Sequence, residues 1–316
     1  RDHLNYSMFR IHKRSGGYRF IHAVNGCLLP IQKFVNEEIL QKIQPHHCSF
    51  AFSRYGGIKK CADMHLGSDW LIKFDLRDFF TTITEKDVYK VFHKLGYTRL
   101  LSFELARLCT TLRLPEEQKK YLRENRVFVD YNNLTAFPYS SRVKMGVLPQ
   151  GAPTSPMLSN LVAYELDKAL ESYAVQSGFV YTRYADDLTF SAVALPEDTS
   201  VPQIIHDVYA IIRKHHFTPN TEKTSIKGPG SRRMVLGLLV DGEISRVSKQ
   251  MRHRVERNLY AIGKYGLAEV AKHEGFESAY GFCNHMNGLL AYIQDVDLKL
   301  KKKYEADYDN AMFALK

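Results

Sequence analysis

An adjacent pair of acidic residues, Asp186-Asp187, interrupts a segment that otherwise has the composition of a β-hairpin. Val180-Tyr181-Thr182-Arg183 precedes the pair and Leu188-Thr189-Phe190 follows it, which predicts a strand, a tight turn and a second strand over residues 179–192. Adjacent carboxylates repel each other at neutral pH, so this turn is either a plain polar turn or part of a cation site. The local sequence leaves both interpretations open.

A third carboxylate, Asp75, follows another predicted strand. Trp70-Leu71-Ile72-Lys73-Phe74 has the apolar pattern of a buried strand that ends in a polar turn. Mg²⁺ prefers oxygen ligands, and two such ions about 3.5–4 Å apart can hold the attacking and leaving oxygens of a phosphoryl transfer. One acid from one strand and two from a neighbouring hairpin would supply ligands for that pair of ions.

The remaining pattern predicts a sheet with crossing helices, followed by an all-helical tail. Residues 113–143 are charged and lack periodicity, which favours an inserted loop. Helices are predicted after Pro30, behind an N-cap at Thr84, over 100–112, as one long helix over 155–176, and over 201–215. A hairpin over 7–24, short glycine-punctuated strands over 224–246 and helices from Ser248 complete the pattern, with a domain boundary near 245.

The charge balance favours a polyanionic partner. Lys and Arg number 44 against 34 Asp and Glu, which gives a net charge of +10 and an isoelectric point near 9.2. Basic side chains that neutralise phosphates release counterions, so this surplus is typical of nucleic-acid binding. No apolar run approaches the roughly 20 residues of a membrane span, and no membrane partner is expected.

The five cysteines are scattered and form no Cys-x-x-Cys pair. This pattern predicts neither a disulfide framework nor a zinc knuckle, and it fits a reduced, cytoplasmic compartment. His46 and His47 precede Cys48 directly, and a metal site is conceivable there. Partly buried histidines and a free thiol are the favoured interpretation of that segment.

Three segments, in order along the chain, resemble the sequence motifs of reverse transcriptases. Phe74-Asp75-Leu76-Arg77-Asp78-Phe79-Phe80 resembles motif A, Leu148-Pro149-Gln150-Gly151-Ala152-Pro153 resembles motif B, and Tyr184-Ala185-Asp186-Asp187 resembles the Tyr-x-Asp-Asp box. The resemblance covers nearly the whole chain. It implies an α+β right-hand polymerase, with fingers and palm (an antiparallel sheet with helices) in 1–245 and a helical thumb in 246–316.

This resemblance also implies the catalytic ligands. Asp75, Asp186 and Asp187 would hold two Mg²⁺ ions, which Mn²⁺ could replace, and the Leu76 carbonyl would add an oxygen. Lys223 matches the family's motif D lysine, a general acid toward pyrophosphate. The alternative for Lys223 is an ordinary surface lysine.

Four further residues would contact the incoming dNTP in such an enzyme. Arg19 matches the finger residue that grips the triphosphate, with Lys13 or Arg14 as helper, and a solvated hairpin charge is the alternative. Phe80 matches the steric gate against a 2′-hydroxyl, and core packing is the alternative. Gln150 and Gly151 match the loop that contacts the nucleotide and template backbone, although a plain loop-to-helix connection would look similar.

Nucleic-acid contacts are implied in two places. Val235-Leu236-Gly237 resembles the primer grip, where the glycine admits the primer backbone, and a bulge glycine is the alternative. The tail places basic side chains at helical spacing, which would follow a phosphate backbone. These residues are Lys249, Arg252, Arg254 and Arg257.

Among reverse transcriptases, the sequence around the acidic turn is most similar to retron enzymes. Retrons usually carry Asn-Ala-x-x-His and Val-Thr-Gly elements, whereas this chain has Cys61-Ala62-Asp63-Met64-His65 and Val235-Leu236-Gly237. The resemblance implies that a structured non-coding RNA template is copied into cDNA in a retron-like or antiphage defence system, with a toxin or effector protein as a further partner. Two rival hypotheses are untemplated or protein-primed DNA synthesis and a catalytically silent RNA-binding scaffold. The three acids argue against the silent scaffold.

Overall fold

The computed structural model describes residues 2–12, 16–116, 145–197 and 199–313. They divide into two compact units. The first unit comprises Arg1–Gly57, Ile72–Phe190 and Leu195–Ile226, and the second comprises Ile58–Leu71, Ser191–Ala194 and Lys227–Lys316. These units are defined by compactness, and the functional boundary near 245 stays a prediction.

The N-terminal hairpin of the first unit forms as its alternating pattern predicts. After a short helix α1 (Asp2–Asn5), strands β1 (Tyr6–His12) and β2 (Tyr18–Val24) pair antiparallel, with Tyr6 opposite Val24 and His12 opposite Tyr18. Helix α2 (Leu28–Phe34) follows, and it continues through a π-helical turn and a 3₁₀ turn that end at Lys42.

A four-stranded sheet positions the acidic residues. Its strands are β3 (Trp70–Asp75), β4 (Val180–Tyr184), β5 (Asp187–Ala192) and β6 (Ser225–Lys227), in the order β4-β5-β3-β6. Aromatic side chains of neighbouring strands pack against each other. The rings of Phe74 in β3 and Phe190 in β5 lie edge-to-face, with centroids 5.6 Å apart. Because β3 and β5 are neighbours, Asp75 and the acidic turn lie at adjacent strand ends.

Helices begin where the sequence provides caps. Thr84 starts the helix Glu85–Lys94 through a reciprocal capping box, in which the Asp87 carboxylate accepts from the Thr84 N–H at 3.0 Å. In chain order the helices after α2 are α3 (Ile58–Asp63), α4 (Phe79–Thr82), α5 (Glu85–Lys94), α6 (Arg99–Cys109), α7 (Ser155–Val162), α8 (Tyr164–Gln176) and α9 (Val201–Lys214).

The long helix predicted over 155–176 is interrupted at Ala163, so that prediction was wrong in one respect. Ala163 has ψ near 1°, which separates α7 from α8. Asn160 and Asp167 both bind the guanidinium of Arg183. In a straight helix these two residues would be about 10 Å apart along the axis. The bend brings both side chains to one buried cation.

The second unit contains the predicted helical tail. Short strands β7 (Met234–Val235), β8 (Leu238–Leu239) and β9 (Arg246–Val247) form a three-stranded sheet. The helices are α10 (Lys249–Tyr265), α11 (Leu267–His273), α12 (Ala279–Val296) and α13 (Leu298–Phe313), and their core includes the buried side chains of Val255, Ile262, Phe282, Met286, Ile293 and Tyr304. The predicted loop over 113–143 lies largely outside the described residues. Among the described helices, none combines the length and apolar character that crossing a membrane requires.

Candidate active site

The acidic turn is held against the end of β3 by the backbone. Ala185 adopts a left-handed conformation with φ of 57°, which closes the turn between β4 and β5. The Leu76 N–H, one residue after β3 ends, donates to the Asp186 carbonyl at 2.9 Å. The structure therefore brings Asp75, Asp186 and Asp187 to one edge of the sheet, as the sequence predicts.

Two side chains of the segment after α9 hold the Asp75 carboxylate, which is 5% exposed. Asn220 Nδ2 donates to Asp75 Oδ1 at 2.8 Å, and Lys223 Nζ donates to Asp75 Oδ2 at 2.7 Å. Sequence reasoning identified Lys223 and missed Asn220. Burial lowers the pKa of Lys223, but the hydrogen bond and charge of Asp75 outweigh that effect, and the pKa is raised overall.

Burial and neighbouring negative charges disfavour the ionised form of both carboxylates of the turn. Burial, and then the charge of Asp75, raise the pKa of Asp186, while Lys223 and Arg19 act in the opposite direction. Burial and the charges of Asp186 and Asp75 raise the pKa of Asp187 to about 6. A divalent cation would relieve this repulsion, and carboxylate oxygens are the ligands that Mg²⁺ prefers. The donor set thus fits the metal ions that the sequence implies.

A buried arginine donates a hydrogen bond to the backbone of the acidic turn. Arg183, the residue before Tyr184, is fully buried and donates from Nε and Nη2 to the two oxygens of Asp167, each at 2.7 Å. Nη1 donates to the Ala185 carbonyl in the turn at 3.1 Å and to Asn160, and Nη2 donates to Ser49. All five N–H donors of the guanidinium therefore have acceptors. A charged residue beside the turn in a predicted strand was the available sequence signal.

Arg19 and Phe80 lie in positions compatible with nucleotide contacts. Arg19 is an exposed residue of β2, and its charge acts on the Asp186 carboxylate. The half-buried Phe80 ring, in α4, packs against Phe79 at 5.6 Å and Phe52 at 6.2 Å. Lys13 and Arg14, the predicted helpers of Arg19, lie outside the described residues.

The loop of Gln150 and Gly151 is bound to the same hairpin. The His22 N–H donates to the Gln150 carbonyl at 2.8 Å. Gly151 has φ of +115°, and an added Cβ would lie 3.0 Å from the His22 carbonyl oxygen and from Ile21 Cγ2. The close approach that requires glycine here is therefore the approach of the loop to β2.

The predicted primer-grip segment is a two-residue hairpin turn between β7 and β8. Leu236 and Gly237 both have positive φ, 49° and 86°, as a type I′ turn requires. Tyr292 Oη donates to the Leu236 carbonyl at 3.3 Å, and an added Cβ on Gly237 would meet the same hydroxyl at 3.0 Å. Gly237 is thus a turn glycine rather than a bulge glycine.

The predicted basic residues of α10 differ in their surroundings. Lys249 and Arg252 are exposed. Arg254 is half-buried with Nη2 3.0 Å from His285 Nε2, and Arg257 pairs with Glu274 at 2.9 Å. Of these four residues, Lys249, Arg252 and Arg257 are exposed, and the charge of Arg257 is balanced by Glu274.

Comparison with known proteins gives the class to which this fold and this site belong. The family described as Reverse transcriptase (RNA-dependent DNA polymerase) matches residues 11–240, which include all three aspartates, Lys223 and the Leu236-Gly237 turn. The chain therefore belongs to the reverse transcriptase family.

Its relatives place it among the retron-type enzymes of bacteria. It is 30% identical to the Retron Ec86 reverse transcriptase of Escherichia coli, over 95% of this chain and 79% of that protein. It is 31% identical to the Retron Ec83 reverse transcriptase of the same organism, over 96% of this chain and 88% of that protein. The Retron Mx65 reverse transcriptase of Myxococcus xanthus is 31% identical, and the chain spans only 61% of its length.

A solved structure supports the fold alone. Apo telomerase from Candida tropicalis aligns with 98% of this chain and 58% of its own, with a TM-score of 0.51 and 11% sequence identity. This likeness agrees with the α+β polymerase fold that the three motifs imply.

Proposed function

We propose that Asp75, Asp186 and Asp187 hold two Mg²⁺ ions with which this RNA-directed DNA polymerase of a retron system extends DNA. The observation that carries the proposal is the hydrogen bond from Leu76 N–H to the Asp186 carbonyl, which fixes the acidic turn beside Asp75. The Leu76 carbonyl is a further candidate ligand at that strand end. Reverse transcriptases as a family depend on divalent metal ions; the identity and number of the ions are part of this proposal.

The ions, when bound, would lower the pKa of the primer 3′-hydroxyl and neutralise charge on the departing pyrophosphate. Lys223 would protonate the pyrophosphate, and to reach it Lys223 must first release Asp75. Asn220 would keep the Asp75 carboxylate oriented after that release, since it binds the other oxygen.

Selection of the dNTP is proposed for the residues around α4 and β2. The Phe80 ring would lie under the incoming sugar and exclude a 2′-hydroxyl, and Arg19 would bind the triphosphate. Gln150 and Gly151 would contact the nucleotide from a loop that β2 already holds. Support comes from the electrostatic influence of Arg19 on Asp186, which connects the hairpin to the acidic turn.

Binding of primer and template is proposed for the second unit. Val235, Leu236 and Gly237 would contact the primer backbone at the type I′ turn. Lys249 and Arg252 would contact template phosphates with exposed charge, and Arg254 and Arg257 would add to that field while paired within the unit.

The biological role in this proposal follows the relatives. The template would be a dedicated, structured non-coding RNA, the product its cDNA, and a toxin or effector protein a further partner in antiphage defence. A cytoplasmic location belongs to the same proposal, and the five free cysteines agree with a reduced compartment. Untemplated synthesis and a silent scaffold are not favoured, because the similar proteins are named reverse transcriptases.

Template dependence tests the proposal. Purified protein with Mg²⁺, dNTPs and a primed RNA should give a product whose sequence is complementary to that RNA, and product sequencing measures this. Synthesis that continues unchanged without template would contradict the templated mechanism. Sequencing RNA and DNA that co-purify with the protein identifies the cognate RNA, and random cellular RNA there would contradict a dedicated template.

A further inference from the structure

A second group of potential metal ligands lies in the first unit and includes none of the three aspartates. His46, His47, Cys48 and Glu171 each bring one ligand atom within 4.8 Å of the others. Over the described ranges, no other set of three or more His, Cys, Asp and Glu side chains converges this closely. Three of these residues are consecutive in the loop after α2, and Glu171 lies in α8.

Three donors face one carboxylate. His47 Nε2 lies 2.5 Å from Glu171 Oε1, His46 Nε2 lies 3.5 Å from Oε2, and Cys48 Sγ lies 3.4 Å from Oε1. The two imidazole rings are stacked with centroids 4.6 Å apart, and both Nε2 atoms lie on the side of the Glu171 carboxylate. His46 and Cys48 are buried, whereas 69% of the His47 side chain is exposed.

Glu171 carries the negative charge of the group, and the charge of the buried Arg183 acts on His46 and Cys48. In the described part of the chain, the recorded partners of Glu171 are these two histidines and the thiol, and none is a lysine or arginine. Two imidazoles, a thiol and a carboxylate are the donor types that Zn²⁺ selects, whereas Mg²⁺ takes oxygen ligands. The group therefore differs in chemistry from the aspartates of the active site.

We propose that His46, His47, Cys48 and Glu171 bind a zinc ion at a structural site separate from the polymerase ions. Zinc–ligand distances of about 2.0–2.3 Å place tetrahedral ligand atoms roughly 3.2–3.8 Å apart. The present separations reach at most 4.8 Å, so zinc binding requires side-chain shifts of about an ångström. Cys48 binds as the thiolate and releases its proton to solvent, and both histidines bind as neutral imidazoles.

The ion would strengthen the support of the acidic turn. The Cys48 carbonyl accepts from the Arg183 N–H at 2.8 Å, and the Phe50 N–H donates to the Arg183 carbonyl at 2.9 Å. The loop that carries three of the ligands is thus paired with β4, the strand that leads into the turn. Zinc would tie this loop to α8 without taking part in nucleotidyl transfer, so the inference stands or fails independently of the proposed polymerase chemistry.

The test measures metal directly, in protein whose Asp186 and Asp187 are changed to Asn so that the polymerase site contributes little. Zinc content is determined by mass spectrometry, and the cobalt-substituted protein is examined by absorption spectroscopy. We expect about one zinc per chain, a thiolate-to-cobalt charge-transfer band and visible bands of tetrahedral cobalt. Zinc should also raise the melting temperature.

Variants at three of the ligands keep the test decisive if one of them fails to fold. Cys48→Ser should abolish the charge-transfer band, and His47→Asn and Glu171→Gln should each weaken zinc binding at least about tenfold. His47→Asn changes an exposed ring, so it decides the matter if Cys48→Ser does not fold. Cys27→Ser and Cys109→Ser remove thiols outside the group and should keep the band. Absence of the band in the protein that keeps all four ligands, or a band and affinity unchanged in His47→Asn, overturns the proposal in favour of a metal-free hydrogen-bonded group.

Discussion

Arg183 is fully buried, and its Nη1 donates to the carbonyl of Ala185 inside the acidic turn. Its charge is balanced by Asp167 at 2.7 Å in an environment without solvent. Ion pairs of this kind add little net stability, but removal of one partner leaves an uncompensated buried charge. We therefore interpret Arg183 as a residue that positions the acidic turn.

Replacement of Arg183 separates positioning from stability. Arg183→Met should lower the free energy of unfolding by about 3–5 kcal/mol, because Asp167 is left buried without its partner. In the double variant Arg183→Met, Asp167→Leu, much of that loss should return. Nucleotide incorporation should stay low in both variants, because neither restores the hydrogen bond to Ala185. Urea unfolding and single-nucleotide extension measure the two effects. A double variant that regains stability and full activity would assign Arg183 a purely structural role.

The raised pKa of Asp187 predicts how the stability of the metal-free protein depends on pH. Its pKa is raised to about 6 from the ordinary 3.8 of an aspartate, so the folded state holds this proton more tightly than the unfolded state. Stability in EDTA should therefore fall as the pH rises through the range between these two values, and level off above about 6. Asp187 keeps contact with solvent although neighbouring groups partly desolvate its carboxylate, so screening keeps the slope small.

The measurement compares melting temperatures of the wild type and Asp187→Asn in EDTA between pH 5 and 7. The difference between the two curves isolates Asp187 from the histidines, which also titrate there. Mg²⁺ should stabilise the wild type more than the variant above pH 6. Parallel curves in EDTA would show that Asp187 has an ordinary pKa.

Secondary structure elements that depend on neighbouring residues could be predicted from the sequence, whereas features that depend on distant contacts could not. The hairpin β1–β2, the Thr84 cap and the helical tail follow from alternation, capping chemistry and periodicity, which neighbouring residues determine. The bend at Ala163 was not predicted, and the helices on both sides of it contact Arg183 on a distant strand, which local sequence does not reveal. The aspartates were predictable from strand ends, whereas Asn220 and the Arg183 network depend on tertiary pairing.

The turn between β7 and β8 provides an element-scale prediction. Gly237→Ala should lower the free energy of unfolding by about 1–3 kcal/mol, because the turn requires positive φ and the new Cβ would meet Tyr292 Oη at 3.0 Å. If the turn contacts the primer, the variant should also raise the KM for primed template. Gly230→Ala, at φ of +75° with open space around it, is the matched control for backbone strain alone. Equal effects of both substitutions on the KM would contradict a primer grip.

The whole molecule is positively charged, whereas the acidic cluster is negative, and we expect the two charges to affect different steps. The chain carries a net charge of +10, which attracts a polyanion over its surface. In the proposed mechanism, Asp75, Asp186 and Asp187 form a local negative site that would accept the polyanion's reacting phosphate only with divalent cations present. Affinity for primed RNA and the chemical step should therefore respond separately to mutation, since basic residues govern the first and the aspartates govern the second.

The central claim is that these three aspartates hold the ions of templated DNA synthesis, and single-turnover nucleotide addition on a primed RNA measures it most directly. Asp75→Asn, Asp186→Asn and Asp187→Asn should each lower the rate at least about 10³-fold, equivalent to about 4 kcal/mol of activation free energy. Each variant should bind primed RNA at least as tightly as the wild type. Glu104→Gln, an exposed carboxylate of α6 in the same unit, should leave the rate unchanged. Wild-type rates in any of the three aspartate variants would contradict the account.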